Sequence, residues 1–389
     1  MTIALISEDF DPARAGVGVH LQNLVRALVA RGHEIVVLTS RRRGEPPRSE
    51  RPGVTVYRHV SVRVSGFSHS VTTTRAIRRV LERHRVDVVH EHFLSRMAMQ
   101  ARTASAQLRI PGVYTYHMAE EILTSPLAWC PPLQRRVSKA IIGFCNRFEL
   151  VTFPSEALSH AVRKKGLDAP SLVLGNAIAF SRAPRPTQQP AAGRFVLLFV
   201  GRLSPEKNLV MLIRAFAAFH ARFPFAELWL AGAGPQRQTL EALAASSGIA
   251  SRVRFLGHLP NAELANAYRA ADAFVLPSLF ETQGMVCIEA MQFGMPLVVS
   301  DGIVSCRELV DDGANGFLFD HTSEQDLVRA LEQLARDPAL RGVMAARSLE
   351  KAAAFSLDDV VDAHERMYRE VVSVGTRRPQ PTAGSASPR

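Results

Sequence analysis

Short apolar runs alternate with helix-period segments along most of this chain. Residues 2–7 read as a buried strand and Ile35 to Thr39 as the next. Between them Leu21, Leu24, Val25, Leu28 and Val29 recur at i, i+3, i+4, i+7 and i+8, the spacing of one helix face. Gly32 stops that helix. Strand, glycine-containing loop, helix and strand in this order is the unit of a doubly wound α/β fold. The pattern continues with strands at Val54–Tyr57, Val86–His90, Val113–His117 and Leu150–Pro154, and helices at Thr74–His84, Ser95–Gln107 and Ser155–Lys165. Residues 181–193, SRAPRPTQQPAAG, break it and read as a linker. A second series then begins, with strands at Phe195–Val200, Glu227–Ala231, Val253–Leu256, Ala273–Leu276 and Leu297–Ser300. From Ser356 a last helix carries Leu357, Val360, Val361, His364, Met367, Tyr368 and Val371 on one face. The predicted fold class is α/β, with Rossmann-like domains at 1–180 and 194–355, a terminal helix at 356–374 and a disordered tail at 375–389.

Two stretches resist the pattern. Residues 41–51, RRRGEPPRSER, read as a basic, solvated loop. Residues 118–150 are the least regular, with Arg135, Arg136, Lys139 and Arg147 interleaved among Val137, Ile141, Ile142, Phe144 and Phe148. Such a segment is either an interfacial amphipathic helix or a core helix with a solvated basic face, and periodicity does not separate the two.

Composition fits a globular protein of two ordinary domains: 389 residues, 47% hydrophobic and 21% charged. No apolar run approaches the roughly 18 to 20 residues that span a bilayer. The start, MTIALISEDFDP, has too short an apolar run and no basic lead, so it reads as a first strand rather than a signal peptide. The four cysteines, 130, 145, 287 and 306, show no metal spacing and fit reduced thiols in the cytosol. Charge is distributed unevenly. Residues 1–175 hold 25 Lys and Arg against 14 Asp and Glu, whereas residues 176–389 hold 22 of each. An arginine-rich genome leaves the balanced second half unexplained. A basic first half attracts an anionic substrate, anionic lipid or nucleic acid. Nucleic acid is disfavoured, because the charges are dispersed and no recognised motif accompanies them.

Candidate chemistry concentrates at strand ends. In Ser278–Asp301 a polar turn precedes a short helix that starts near Gly284. Glu281 and Glu289 flank that start with seven residues between them. A helix N-terminus offers N–H groups to a diphosphate, and carboxylates on either side accept hydrogen bonds from hydroxyls, as a nucleotide-sugar supplies. An ordinary βαβ unit with surface glutamates has the same spacing. His90-Glu91-His92 and His117 end two strands of the first half, where open α/β sheets bind ligands. A metal at His90 and His92 has no third ligand in view, and substrate contact is the preferred reading.

The segment SLFETQGMVCIEAMQFGMPLVV resembles the E-x7-E signature of retaining glycosyltransferases of family 4. GRLSPEKN (201–208) resembles that family's basic phosphate motif, Gly16-Val17 its N-terminal glycine loop and DDGANGFLF (311–319) its late glycine turn, all in the family's order. The resemblance implies the GT-B fold, two Rossmann-like domains facing across a cleft with the last helix crossing back to the first. It also implies roles. Arg202 and Lys207 hold the diphosphate, Glu281 binds donor-sugar hydroxyls, and His117 contacts the transferring sugar. The backbone at Gly16, Gly284, Met285 and Val286 meets phosphate or sugar, and Glu289 takes the ribose. Glu8, His90 and His92 lie on the acceptor side. A nucleotide-sugar is the donor, with no prosthetic group and no catalytic metal. Gln283, VYTYHMAEEI (113–122) and GFCNRFELVTFPSE (143–156) resemble the enzymes that glycosylate diacylglycerol. They imply UDP-glucose, a lipid acceptor and docking on the inner face of the cell membrane. HEHF (90–93) and DGIVSCRE (301–308) depart from the commonest family forms. A mannosyltransferase using GDP-mannose and a phosphoinositide or soluble acceptor is the alternative, and a silent nucleotide-binding scaffold the non-enzymatic one.

Overall fold

The computed structural model describes residues 1–10, 16–64, 67–117, 129–178, 180 and 194–376. The expected linker, the tail from 377 and the irregular stretch 118–128 lie outside them. The chain divides into two compact units. The first holds Met1–Phe153, Ser159–Leu174 and the chain from Val361 onward; the second holds Pro154–Leu158 and Gly175–Val360.

The first unit is built on nine strands among the described residues: β1 (Thr2–Ile6), β2 (Glu34–Arg41), β3 (Arg48–Arg51), β4 (Val54–Val64), β5 (Phe67–Ser70), β6 (Val88–Glu91), β7 (Gly112–Thr115), β8 (Leu150–Phe153) and β9 (Ser171–Val173). Their spatial order is β3-β4-β2-β1-β6-β7-β8-β9, and β5 pairs with β4. All pairs are parallel except β3 with β4 and β4 with β5. The parallel strands are apolar because helices cover both faces of such a sheet. Residues 48–51, expected in a loop, form strand β3. Its RSER sequence has no apolar face; backbone pairing to β4, a 2.8 Å hydrogen bond from Arg58 Nη1 to Ser49 Oγ and the Arg48 guanidinium over the Tyr57 ring hold it, and composition does not reveal that.

Helix α1 (Gly16–Ala30) buries Leu21, Leu24, Val25 and Leu28, the spacing that predicted it. Thr73 caps α2 (Thr74–Arg83) by accepting from the Ala76 amide, and Ser95 caps α3 (Arg96–Gln107) through Ala98. Helix α4 (Pro131–Cys145) buries Ile141, Ile142 and Phe144, leaving Arg135, Arg136 and Lys139 exposed. The apolar residues of its last turns are therefore core, Leu133 near its start is exposed, and its basic face is solvated. Helix α5 (Glu156–Lys164) follows β8.

Among the described residues the second unit has six parallel strands: β10 (Phe195–Val200), β11 (Ala226–Ala231), β12 (Val253–Gly257), β13 (Ala273–Leu276), β14 (Leu297–Ser300) and β15 (Gly316–Phe319). The order β12-β11-β10-β13-β14-β15 is that of a Rossmann fold. β15 lies inside the expected glycine turn 311–319. Its helices are α6 (Leu209–His220), α7 (Arg237–Ser246), α8 (Asn261–Ala270), α9 (Met285–Gln292), α10 (Val304–Arg307), α11 (Glu324–Arg336) and α12 (Pro338–Ala352). One core runs through this unit from Phe195 and Phe199 to Phe274 and Phe319.

Helix α13 (Leu357–Thr376) begins in the second unit and from Val361 belongs to the first. There Asp362 pairs with Arg31, and Glu365 Oε1 lies 2.7 Å from His33 Nε2.

Candidate active site

In an open α/β sheet the chain winds outward in both directions from one pair of strands, leaving a crevice at their carboxyl ends. In the second unit that pair is β10 and β13. Beyond β10 the GRLSPEKN segment turns sharply. A side chain on Gly232 would place its Cβ 1.8 Å from the Gly201 carbonyl oxygen, so the loops after β10 and β11 lie backbone against backbone. Pro205–Lys207 forms a 3-10 turn, and the Leu279 amide donates to the Glu206 carbonyl at 2.9 Å, tying this loop to the one after β13. Arg202 Nη2 donates to Glu206 Oε1 at 3.1 Å and is otherwise largely solvated.

The loop after β13 presents Glu281. Its carboxylate forms an ion pair with the Lys207 ammonium and accepts from Ser278 Oγ at 3.0 Å. Its carbonyl accepts from Ser305 Oγ at 2.9 Å. Gly284 then adopts φ +72° and opens α9; a Cβ there would stand 2.5 Å from Cys306 Sγ. The first-turn N–H groups of α9, at Met285 and Val286, point out of a helix start beside Lys207 and Glu281. Glu289 lies in the same helix and is buried, accepting from the Tyr268 hydroxyl at 2.8 Å. Burial pushes its carboxyl up to about 7, against the opposing pull of the Tyr268 hydrogen bond. The fold thus gathers Arg202, Lys207, Glu281, Gly284, Met285, Val286 and Glu289 at one sheet edge. Gln283 does not face solvent. It is buried, and its Oε1 accepts from the Asn176 amide and Nδ2 at 3.1 and 2.7 Å.

In the first unit the winding reverses between β1 and β6. Gly16 is exposed at the start of α1. Glu8 follows β1, but its carboxylate is engaged: it accepts from Ser40 Oγ, from Ser70 Oγ at 2.6 Å and from the Ser70 amide at 3.2 Å. His90 lies in β6, His92 directly follows it, and His117 follows β7. His90 is wholly buried, with Nδ1 2.7 Å from the Tyr368 hydroxyl and Nε2 2.6 Å from Thr115 Oγ1. His92 Nδ1 lies 3.0 Å from His117 Nε2. His20 joins them from α1, its ring centroid 5.7 Å from His92 and 5.4 Å from His117. His364 of α13 lies 6.0 Å from His20. Desolvation, followed by repulsion from His364, holds His117 down to about 3, and burial lowers His20, His90 and His92 well below the ordinary imidazole range. These rings are neutral at pH 7.

Sequence reasoning did not find Tyr268, Ser278 or Ser305, which position the glutamates, nor His20. The signal for His20 was present: it shares a helix face with Leu24 and Leu28 at i, i+4 and i+8.

The chain matches two family models end to end: Glycosyltransferase Family 4 over residues 14–182 and Glycosyl transferases group 1 over residues 182–351. It is 24% identical to the alpha-monoglucosyldiacylglycerol synthase of Acholeplasma laidlawii, over 97% of this chain and 99% of that protein. It is 30% identical to a D-inositol 3-phosphate glycosyltransferase of Frankia alni, over 92% and 95%. Among solved structures, Anabaena HepE in complex with UDP-glucose superposes with a TM-score of 0.75 at 21% identity, over 96% of this chain and 100% of that one, a likeness of fold. On its two Rossmann-like sheets, its paired family models and its full-length relatives, the chain belongs to the family 4 glycosyltransferases of GT-B fold.

Proposed function

We propose that this glycosyltransferase is a retaining hexosyltransferase that moves a hexose from UDP-glucose to a membrane lipid such as diacylglycerol, without a catalytic metal. The observation that carries the donor half is the Lys207–Glu281 pair at the start of α9, with Glu289 farther along the same helix. A diphosphate seated at that helix start meets N–H groups and two cations. It competes with Glu281 for Lys207 and frees the Glu281 carboxylate for sugar hydroxyls. Glu289 takes the ribose hydroxyls. Arg202 and Lys207 stand where charge develops as the bond from the anomeric carbon to the diphosphate breaks, the place where fixed cations lower a barrier most. The acceptor hydroxyl attacks on the face the diphosphate leaves, its proton passes to the departing phosphate oxygen, and His117 holds the transferring sugar. Fixed cations and a helix N-terminus fill the place of Mg²⁺, so EDTA is expected to leave turnover unchanged.

The lipid half is supported by similarity to the Acholeplasma synthase and by the excess of 11 positive charges in residues 1–175. Trp129 and Leu133 are exposed beside Arg135, Arg136 and Lys139 of α4. A groove of about 460 Å³ lined by Arg135, Lys139 and Lys165 opens there. Among the described residues no helix is long and apolar enough to cross a membrane. The protein docks on the cytoplasmic face of the membrane as a peripheral enzyme.

The test is a panel of UDP- and GDP-sugars with diacylglycerol in anionic liposomes, or with inositol phosphates in solution, read by mass spectrometry. Hexosylated diacylglycerol is expected. Transfer to inositol phosphates alone, the reading favoured by 30% identity to the Frankia enzyme, sinks the lipid assignment. No transfer from any donor sinks the catalytic one.

A further inference from the structure

The sequence places no third ligand beside His90 and His92, but the fold supplies one from each of two other elements. One ring nitrogen of each of His20, His92 and His117 lies within 4.8 Å of the other two. We propose that these three imidazoles form a binding site for a borderline divalent transition cation, Zn²⁺ or Co²⁺, in the first unit.

The donor set fits. Neutral imidazole nitrogen is a preferred ligand for such ions, and three histidines with an open fourth position are a recurrent tetrahedral arrangement. Ligand atoms about 2.0–2.1 Å from a tetrahedral ion stand about 3.4 Å from one another, inside the 4.8 Å within which these nitrogens lie, so side-chain rotation is enough to reach that geometry.

The second observation is on His92. It is wholly buried, and its Nε2 has no hydrogen-bond partner. In the tautomer where Nδ1–H donates to His117 Nε2, that buried Nε2 carries a lone pair with nothing to accept. A cation relieves it. Coordination exchanges the His92–His117 hydrogen bond for two metal bonds, each ring turning a lone pair inward while its remaining proton stays on the other nitrogen.

The surroundings hold the rings in place. His90 lies 3.9 Å from His92 between ring centroids, and Tyr368 and Thr115 fix it through both nitrogens. Outer partners of this kind set ring orientation in metal sites. His117 alone of the three is slightly open to solvent, which gives an ion its entry.

Where His117 holds the transferring sugar, as proposed above, an ion at this site suppresses transfer and EDTA restores it. Binding itself does not rest on that reading. The experiment is therefore a Co²⁺ titration of the full-length protein, free of any histidine tag and first dialysed against chelator. A four-coordinate visible absorption band saturating at one equivalent is expected, with X-ray absorption counting three imidazoles on the bound ion. The band is lost in H20Q and H92Q, with melting curves run alongside. No band, fewer than three imidazoles, or a band that survives both substitutions overturns the site. Should either variant unfold, the imidazole count on the unsubstituted protein decides. A protein that binds Co²⁺ in this way but transfers no sugar retires the functional reading and keeps this one.

Discussion

Tyr268 donates its hydroxyl to Glu289 at 2.8 Å inside the second unit, and both side chains are withdrawn from water. The tyrosine favours the ionised carboxyl while burial disfavours it, and burial prevails, leaving Glu289 titrating at about 7. Only the ionised form accepts two ribose hydroxyls without a competing donor of its own. The KM for the nucleotide-sugar is therefore expected to fall as pH rises through about 7, and E289Q to flatten that limb. Y268F removes the pull that favours ionisation, so the limb moves to higher pH. Steady-state KM against pH in the three proteins checks this.

The same group couples pH to stability. Its folded pKa is raised above the unfolded value of 4.5, so the neutral form stabilises the fold fully below about 4.5, and that contribution is lost as pH rises through about 7. The difference amounts to roughly 3 kcal/mol. Denaturant midpoints across this window are expected to decline less in E289Q than in the unsubstituted chain.

Lys207 and Glu281 are each other's ion-pair partners, and both are mostly covered. K207A and E281A are each expected to lower kcat by about 10² to 10³, the loss seen when one transition-state donor is removed. Because each substitution also frees the other side chain, the double variant loses much less than the product of the two. Strict additivity in a double-mutant cycle would show that they act independently.

Two glycines of the second unit, both at positive φ, separate sterics from backbone preference. At Gly248, φ is +73° and the space a Cβ would enter is open to 4 Å, so G248A is expected to cost only the left-handed penalty of about 1–2 kcal/mol. At Gly232 a Cβ meets the Gly201 carbonyl oxygen at 1.8 Å, and neither backbone can give way without moving the GRLSPEKN loop. G232A is expected to lower the melting temperature far more and to abolish donor binding. Equal melting temperatures for the two variants would contradict this.

Charge reversal on the solvated face of α4, R135E with R136E and K139E, is expected to weaken binding to anionic liposomes. At about 1 kcal/mol per cation near such a surface, losing three attractions costs roughly a hundredfold in affinity, with reversal adding to it. Sedimentation with phosphatidylglycerol vesicles measures it, and transfer to a detergent-dispersed acceptor should be largely unchanged. Undiminished vesicle binding would remove α4 from the membrane contact.

The donor edge was largely legible because its parts are contiguous. Arg202 and Lys207 sit in one loop, and Glu281, Gly284 and Glu289 in one turn and helix, so spacing alone suggested an anion site flanked by carboxylates. Strand ends were legible for the same reason: apolar runs terminate at His90 and His117. What escaped was assembly across distance. His20 and His364 are 344 positions apart in the sequence and meet the same histidines only through the winding of the first sheet. Tyr268 looked like any aromatic residue on a short helix until its partner was in place. Gln283 marked the resemblance to lipid-glycosylating enzymes, but its burial and the hydrogen bonds its Oε1 accepts from Asn176 were not legible from spacing. Strand β3 escaped because a charged edge strand is held by backbone pairing, which leaves no hydrophobic period.

The first unit takes its closing segment from the far end of the chain, at Val361 and beyond. During synthesis, residues 1–174 leave the ribosome long before His364 and Tyr368 exist to meet His20 and His90. The half of the protein that is translated first is thus the last to be completed. A nascent chain stalled anywhere in the second unit would expose a sheet edge whose buried histidines still lack their helix, a state for chaperones or proteases to recognise.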